Sequence, residues 1–440
     1  MKSDTDRSRR TLYLEGMNEL AALFDRDQEA LRCPYPIFDE LRADAPVVYD
    51  DGLGAWIATG YGAARTILRD TENWSSLSPT SPGPRESAMT TAMATLSQEP
   101  AMAEAFEKML SGRRTAAVLL NADPPEHVRQ RRVVNAAFRP ARIRELEPKV
   151  QQRSDELIAS FVDRGTVEFV SEYAVLLPMR IIADALGVGD DDLLMFKKWS
   201  DDLVIPIGNA APSVDQVRDF ITSTQAFADY FSVKLEQRTT DPHDDLISDV
   251  ANAELDGERL THAEQISMCQ QFLVAGNETT TKLITNMANR FASEPGLQST
   301  IDADRTLIPS FVEEALRFEA PVQGLYRQAK HEVTIDGATI PAGEHVWVVY
   351  AAGNRDADKF ERPNDFEPSR ENAREHLSFG NGEHFCIGAG LARAEAYVAV
   401  EAMLDHMSNL RYAARHAPAY EDSFILRGLK TLDLDFDPPA

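Results

Sequence analysis

Leu12, Leu14, Met17, Leu20 and Leu23 recur at helical spacing within an otherwise polar stretch, so residues 1–30 read as a polar lead-in carrying a short amphipathic helix. Cys33-Pro34-Tyr35-Pro36 then marks a turn, followed by a helix through Phe38 and Leu41. A short strand pair is predicted at about Val47–Tyr49 and Ala55–Thr59, with Asp50-Asp51-Gly52 between them. From Trp74 to Asp123 the pattern reads as loop, first through Pro79, Pro82, Gly83 and Pro84 and then dotted with Met89, Met93, Met102 and Met109. Asp123-Pro124-Pro125 opens the next helix, with Asp123 as its cap and the prolines in its first turn, where amides are unpaired anyway. Two helices flank a loop at 205–212, with Trp199, Leu203 and Val204 before it and Val217, Phe220 and Phe227 after it. Thr261-His262-Ala263-Glu264 is a capping box that starts a helix of some thirty residues, to about Phe291. Further on come a hairpin, Val333–Ile335 and Ala338–Ile340 around Asp336-Gly337, and a strand Val346–Tyr350. The last helix is predicted from about Leu391 to Met407.

The 440 residues are compatible with one large fold, and 43% hydrophobic with 26% charged residues is ordinary for a globular chain. Cys33, Cys269 and Cys386 are too few and too far apart for a disulfide framework or a zinc finger, which suits a reducing cytosol. The first ten residues are polar with no signal-peptide core after them, and no apolar run is long enough to span a membrane. A formal charge of −26 argues against general nucleic-acid binding, which draws on positive charge. Arg113, Arg114, Arg129, Arg132, Arg139, Arg142, Arg144, Lys149 and Arg153 reverse that sign locally.

Two stretches carry chemistry. In Phe379-Gly380-Asn381-Gly382-Glu383-His384-Phe385-Cys386-Ile387-Gly388, glycines surround one cysteine and a helix begins directly after it. Glycine permits tight turns and close backbone approach, and a helix N-terminus stabilises a thiolate. The middle of the long helix reads Ala275-Gly276-Asn277-Glu278-Thr279-Thr280-Thr281, a poor helix interior by propensity and therefore a suspected site. Thr279 lies four residues after Ala275, within reach of its carbonyl, and Glu278 beside it is an acid suited to passing protons. His127 and Arg131 share one helix face, as do Glu314 and Arg317.

The first stretch fills every fixed position of Phe-Gly-x-Gly-x-His-x-Cys-x-Gly, and the chain over roughly 30–436 resembles the cytochrome P450 family, the haem-thiolate monooxygenases. The resemblance implies a mainly α fold with small β-sheets (α+β), haem b sandwiched between the long distal helix and the cysteine loop. It implies a single haem-thiolate domain over 31–440 after the lead-in. Carried over residue by residue, it makes Cys386 the iron ligand within a loop that includes Phe379 and Gly388. It places Ala275 and Gly276 beside the haem, makes Glu278 and Thr279 the proton relay, and gives His127, Arg131, Arg327 and His384 to the propionates. Val322, Gln323, Leu325, Phe424 and Ile425 would contact substrate, and the 205–212 loop would be a lid. The methionines of 89–109 either line a pliable pocket or are ordinary core residues on a short helix. Glu314 and Arg317 form a structural clamp. Many members carry an arginine where Asp365 stands, so the third partner of that clamp is Arg362 or Arg370.

The implied reaction is insertion of one oxygen atom from O2 into a hydrophobic small molecule such as a terpenoid, steroid, fatty acid or polyketide. Electrons would come from NAD(P)H through a ferredoxin reductase and a ferredoxin, in the cytoplasm. Part of the arginine cluster would dock that acidic donor. Two other readings remain: a peroxide-driven peroxygenase, which the Glu278-Thr279 pair disfavours, and a non-catalytic haem sensor or carrier.

Overall fold

The computed structural model describes residues 20–81, 88–110, 116–135, 138–209, 211–255 and 257–439. Leu12, Leu14, Met17, Pro82, Gly83, Pro84, Arg113 and Arg114 lie outside the described residues, as does the side chain of Met109. Leu20 and Leu23, at the end of the lead-in, are fully buried in a core cluster with Phe38, Tyr326, Trp347 and Ile425.

Helices dominate, and the long one runs His262–Ser293. Its start is fixed as the sequence predicts: the Thr261 hydroxyl accepts from the Glu264 amide, and the Glu264 carboxylate accepts from the Thr261 amide at 2.8 Å. The helix threads two cores. Ile266, Met268, Cys269, Phe272 and Leu273 pack with Phe196, Trp199 and Phe231, which come from other helices. Leu283, Ile284, Met287, Ala288 and Phe291 pack with Ala396, Ala399, Val400 and Met403 of a second helix, Ala389–His406. Between those anchors lies the polar break, with Ala275 exposed. A mid-helix glycine and three threonines cost roughly 2–3 kcal/mol in propensity. Burying one or two large apolar side chains offsets that, and eight of them flank the break.

The largest sheet has five strands in the spatial order Val47–Asp50, Ala55–Ala58, His345–Val348, Leu325–Ala329, Trp74–Ser75. His345–Val348 runs parallel to Ala55–Ala58, and the remaining pairs are antiparallel. That strand ends two residues short of the predicted Tyr350, because Tyr350–Gly353 turns into a short helix. The hairpin at 333–340 forms as predicted.

Of the two readings of the methionines, the core one holds: Ala88–Leu96 and Pro100–Leu110 are helices that pack Met89, Met93 and Met102 against Ala92, Leu96, Phe106, Val217 and Ile221. These methionines are therefore packed beside the Val214–Thr240 helix. Asp123 does not cap the Glu126–Asn135 helix; its carboxylate accepts from the Ser76 amide at 2.7 Å and pairs with Lys330 at 3.4 Å.

Candidate active site

The cysteine loop is built from its own backbone. The Cys386 amide donates to the Phe379 carbonyl at 2.8 Å, and the Phe385 amide donates to the Gly382 carbonyl at 3.1 Å. Gly382 has φ +71°, and a Cβ there would stand 2.6 Å from the Leu68 carbonyl, so no other residue fits without moving the 61–69 helix. Burial raises the Cys386 thiol. The amide of Gly388, the charges of Arg131 and Arg393 and the amide of Ala389 act the other way, as a helix N-terminus should. Ile387 packs on the cluster that holds Phe272 and Leu273, so loop and long helix meet.

Four nitrogen-bearing side chains converge beside this loop. The Arg131 guanidinium donates to the Phe385 carbonyl at 2.7 Å. The rings of His127 and His384 lie 4.1 Å apart, and His127 Nδ1 and His384 Nε2 are buried without a hydrogen-bond partner. Arg327 is buried, donates to the Tyr326 carbonyl at 2.8 Å, and makes no ion pair among the described residues. Burial, then the charges of Arg327, His127 and Arg131, drive His384 down to about 2; burial, then Arg131, lower His127. Clustered cations with orphaned ring nitrogens fit carboxylate groups such as haem propionates, so the residues present fit the group that the sequence implies.

Across from the loop, the Thr279 hydroxyl donates to the Ala275 carbonyl at 2.8 Å. Glu278 turns elsewhere. Its carboxylate accepts from Lys282 Nζ at 3.0 Å and from Ser200 Oγ at 3.3 Å, and Ser200 Oγ in turn accepts from the Asn277 amide at 2.8 Å. Lys282 also donates to Glu421 at 3.4 Å. Burial would lower this ammonium, but the charges of Glu278 and Glu421 more than offset it and leave it above the ordinary lysine value. A Cβ on Gly276 would have Ile182 as its nearest neighbour, at 3.4 Å. Lys282 was not singled out from the sequence, although its i,i+4 spacing from Glu278 is the signal that would have found it.

The candidate substrate residues divide. Val322 bridges Leu426, and both Val322 and Leu325 are part-buried. Gln323 is buried; its amides donate to Ile425 O at 2.7 Å and Phe424 O at 3.0 Å. Phe424 packs its ring on Phe24 at 4.9 Å and Trp347 at 5.4 Å, and Ile425 is fully buried in the same core.

Behind the loop sits the clamp. Arg317 holds Glu314 through two bonds of 2.7 Å, and the third partner is Arg370, whose Nε donates to both Glu314 oxygens at 3.1 Å. Arg362 is instead exposed, against Asp365 and Glu367. A second clamp escaped the sequence reading: buried Glu313 takes Arg393 at 2.7 Å and His376 at 3.1 Å, and Arg393 covers the Phe379 ring at 4.6 Å.

A family model, Cytochrome P450, matches residues 86–411. The vitamin D(3) 25-hydroxylase of Pseudonocardia autotrophica is 33% identical over 414 residues, 92% of this chain and 94% of that protein. Among solved structures, CYP109Q5 from Chondromyces apiculatus aligns with a TM-score of 0.81 at 34% identity, covering 94% of this chain and 98% of its own. CYP109E1 from Bacillus megaterium in complex with testosterone aligns at 0.77 and 29% identity, covering 92% and 99%. No helix among the described residues is long and apolar enough to cross a membrane. A cysteine on a helix N-terminus, in a loop that packs on the same core as the longest helix, thus lies in a fold shared with these enzymes over nearly its whole length, and the chain belongs to the cytochrome P450 family of monooxygenases.

Proposed function

We propose that this monooxygenase inserts one oxygen atom from O2 into a hydrophobic small molecule, by hydroxylation or epoxidation, with electrons from NAD(P)H delivered by a ferredoxin reductase and a ferredoxin. The observation that carries the reading is the Cys386 loop with Arg131, Arg327, His127 and His384 gathered beside it; an alcohol and an acid, Thr279 and Glu278, stand next to each other in the polar break of the long helix. Haem b, bound through the Cys386 thiolate, supplies O2 activation, which thiolate donation favours. Phe379 and Gly388 shape the loop around that sulfur. His127, Arg131, Arg327 and His384 hold the propionates, and Ala275 and Gly276 keep the distal side open. Glu278 takes protons from solvent and Thr279 presents them at its hydroxyl. Glu314 and Arg317 hold the scaffold. Residues 31–440 form the haem domain.

Val322 and Leu325 are apolar and part-buried, which suits a steroid-, terpenoid-, fatty-acid- or polyketide-like substrate. The vitamin D(3) 25-hydroxylase and the testosterone complex among the relatives favour the steroid-sized end of that range. Gln323, Phe424 and Ile425 contribute by shaping the wall behind these residues. For the electron donor, Arg132, Arg139 and Arg144 are exposed and make no ion pair among the described residues, whereas Arg129, Arg142, Lys149 and Arg153 are each paired internally. The first three therefore form the docking patch, and electron transfer should slow with rising ionic strength.

The test is the spectrum of dithionite-reduced protein with carbon monoxide. A strongly red-shifted Soret band is expected and should be lost in Cys386→His; a band typical of histidine-ligated haem refutes the assignment. Testosterone and palmitoleic acid, screened for a low- to high-spin change, then separate the substrate classes.

A further inference from the structure

Lys282 is buried with only 4% of its side chain exposed, and it is shared by two carboxylates from distant parts of the chain. Its nearer partner, Glu278, is one turn back on the same helix; the other, Glu421, belongs to the segment 420–429. That segment is closed at its base, where Tyr420 bridges Leu429 and the Glu421 amide donates to the Gly428 carbonyl at 3.0 Å. Gly428 lies directly on the lysine stem, for a Cβ there would stand 2.5 Å from Lys282 Cγ. The tip of the segment carries Phe424 and Ile425. It is held by Gln323, whose amide donates to Ile425 O at 2.7 Å, and by the 205–212 loop, where Gly208 O accepts from the Phe424 amide at 3.2 Å. One short segment therefore touches the proposed substrate wall, the proposed lid and the cation that holds Glu278.

We propose that Lys282 is a positioning residue that couples this segment to the proton-delivering acid. The proposal rests on the reading of Glu278 as that acid. In the arrangement seen here the ammonium, with Ser200, draws the Glu278 carboxylate away from Thr279, whose hydroxyl is given to Ala275 O. A buried ammonium keeps its charge only against a carboxylate, so weakening its hold on one partner strengthens its hold on the other. Movement of 420–429, as substrate or lid shifts the tip, carries Glu421 toward Lys282 and frees Glu278 to turn to Thr279. Asp201 on the neighbouring 193–203 helix, itself bonded to Lys197, also faces Glu278, and Lys430 beside Glu421 is bonded to Asp422, so among the described residues Lys282 is the one cation paired with either Glu278 or Glu421.

The experiment is amide hydrogen exchange of residues 419–429, read by mass spectrometry on the holoenzyme. Glu278→Gln touches nothing in that segment, yet it should slow exchange there by on the order of fivefold or more, the usual lower size of an intersite coupling. Glu421→Gln and Lys282→Met should speed it, and Lys282→Arg should restore the wild-type rate. Exchange within about twofold of wild type in Glu278→Gln would overturn the coupling, and that variant remains decisive if Lys282→Met does not fold. The reduced-CO spectrum of each variant tests the family-based reading separately: its failure in wild type would remove the proton-delivery role, while exchange still decides whether Lys282 links the two carboxylates.

Discussion

Replacing Arg370 by leucine tests how the scaffold behind the cysteine loop is held. Arg370 is buried; besides two bonds to Glu314 it donates to the carbonyls of Glu361 at 2.6 Å, Arg362 at 3.2 Å and Asp365 at 3.1 Å. The substitution strips donors from a carboxylate and three carbonyls, each worth ~1.5–3 kcal/mol when the bond is charge-assisted. It also removes the desolvation cost of a buried cation and leaves Glu314 and Arg317 as a neutral pair, so the net loss should be ~3 kcal/mol. At ~2 cal/mol/K per residue, 440 residues give an unfolding entropy near 0.9 kcal/mol/K, so the melting temperature should fall by about 3 °C. Glu314→Gln is harsher, because buried Arg317 then faces no carboxylate and Arg370 keeps only Glu367 at 3.8 Å; ~3–5 kcal/mol and loss of haem are expected. The assay is calorimetric melting at a fixed scan rate, with haem retention followed by gel filtration. A fall below about 1 °C for Arg370→Leu, or an equal fall for the exposed Arg362→Leu, would refute the assignment of Arg370 as third partner.

Glu395 is fully buried and its carboxyl is pushed by burial up to about 8 from 4.5. It is protonated in the fold but ionised when unfolded, so stability falls as pH rises from 4.5 to 8; Glu395→Gln should remove that slope, at most ~1.4 kcal/mol per pH unit in denaturant titrations. Glu313 moves oppositely: burial raises it, but His376 and Arg393 carry it down to about 2, so its contribution is complete above 4.5 and lost as pH falls through 2. Acid unfolding of Glu313→Gln should lack that window. Gly208 has φ +69°, and a Cβ there would stand 2.3 Å from Ser423 Oγ, so Gly208→Ala should part the 205–212 loop from residues 423–425. Stopped-flow release of a bound apolar ligand should speed by roughly tenfold, the equivalent of ~1–2 kcal/mol.

What could be read from the sequence was what neighbours along the chain decide. The capping box at Thr261 and Glu264 needs four consecutive residues and formed as predicted. The cysteine loop is likewise closed by bonds spanning a few positions. Helical core methionines at 88–96 and 100–110 could be given only as one of two alternatives, because Val217 and Ile221, over a hundred residues later, complete their apolar face. Asp123 was misassigned for the same reason, since its partner amide at Ser76 lies 47 positions back and outbids the local cap. Arg370 and Arg362 could not be told apart, because only the packed segment 361–370 aims one guanidinium inward and the other at solvent.

The same distinction explains the charge of the site. Acidic residues outnumber basic ones by 71 to 45, so most cations in this chain find a carboxylate without any special arrangement. Lys282 finds two. Arg327, equally buried, makes no ion pair among the described residues, and its neighbour Arg131 adds to the local positive charge; burial, then that charge, keeps the His127 and His384 rings neutral. Leaving a buried guanidinium uncompensated costs several kcal/mol. The carboxylates that do approach, Asp123 and, at 4.0 Å from His127, Glu383, do not pair with Arg327, and that cost is offset when anionic groups bind there. Glu278 obeys the converse rule: its charge is already compensated by Lys282, so what regulates it is competition for that one cation.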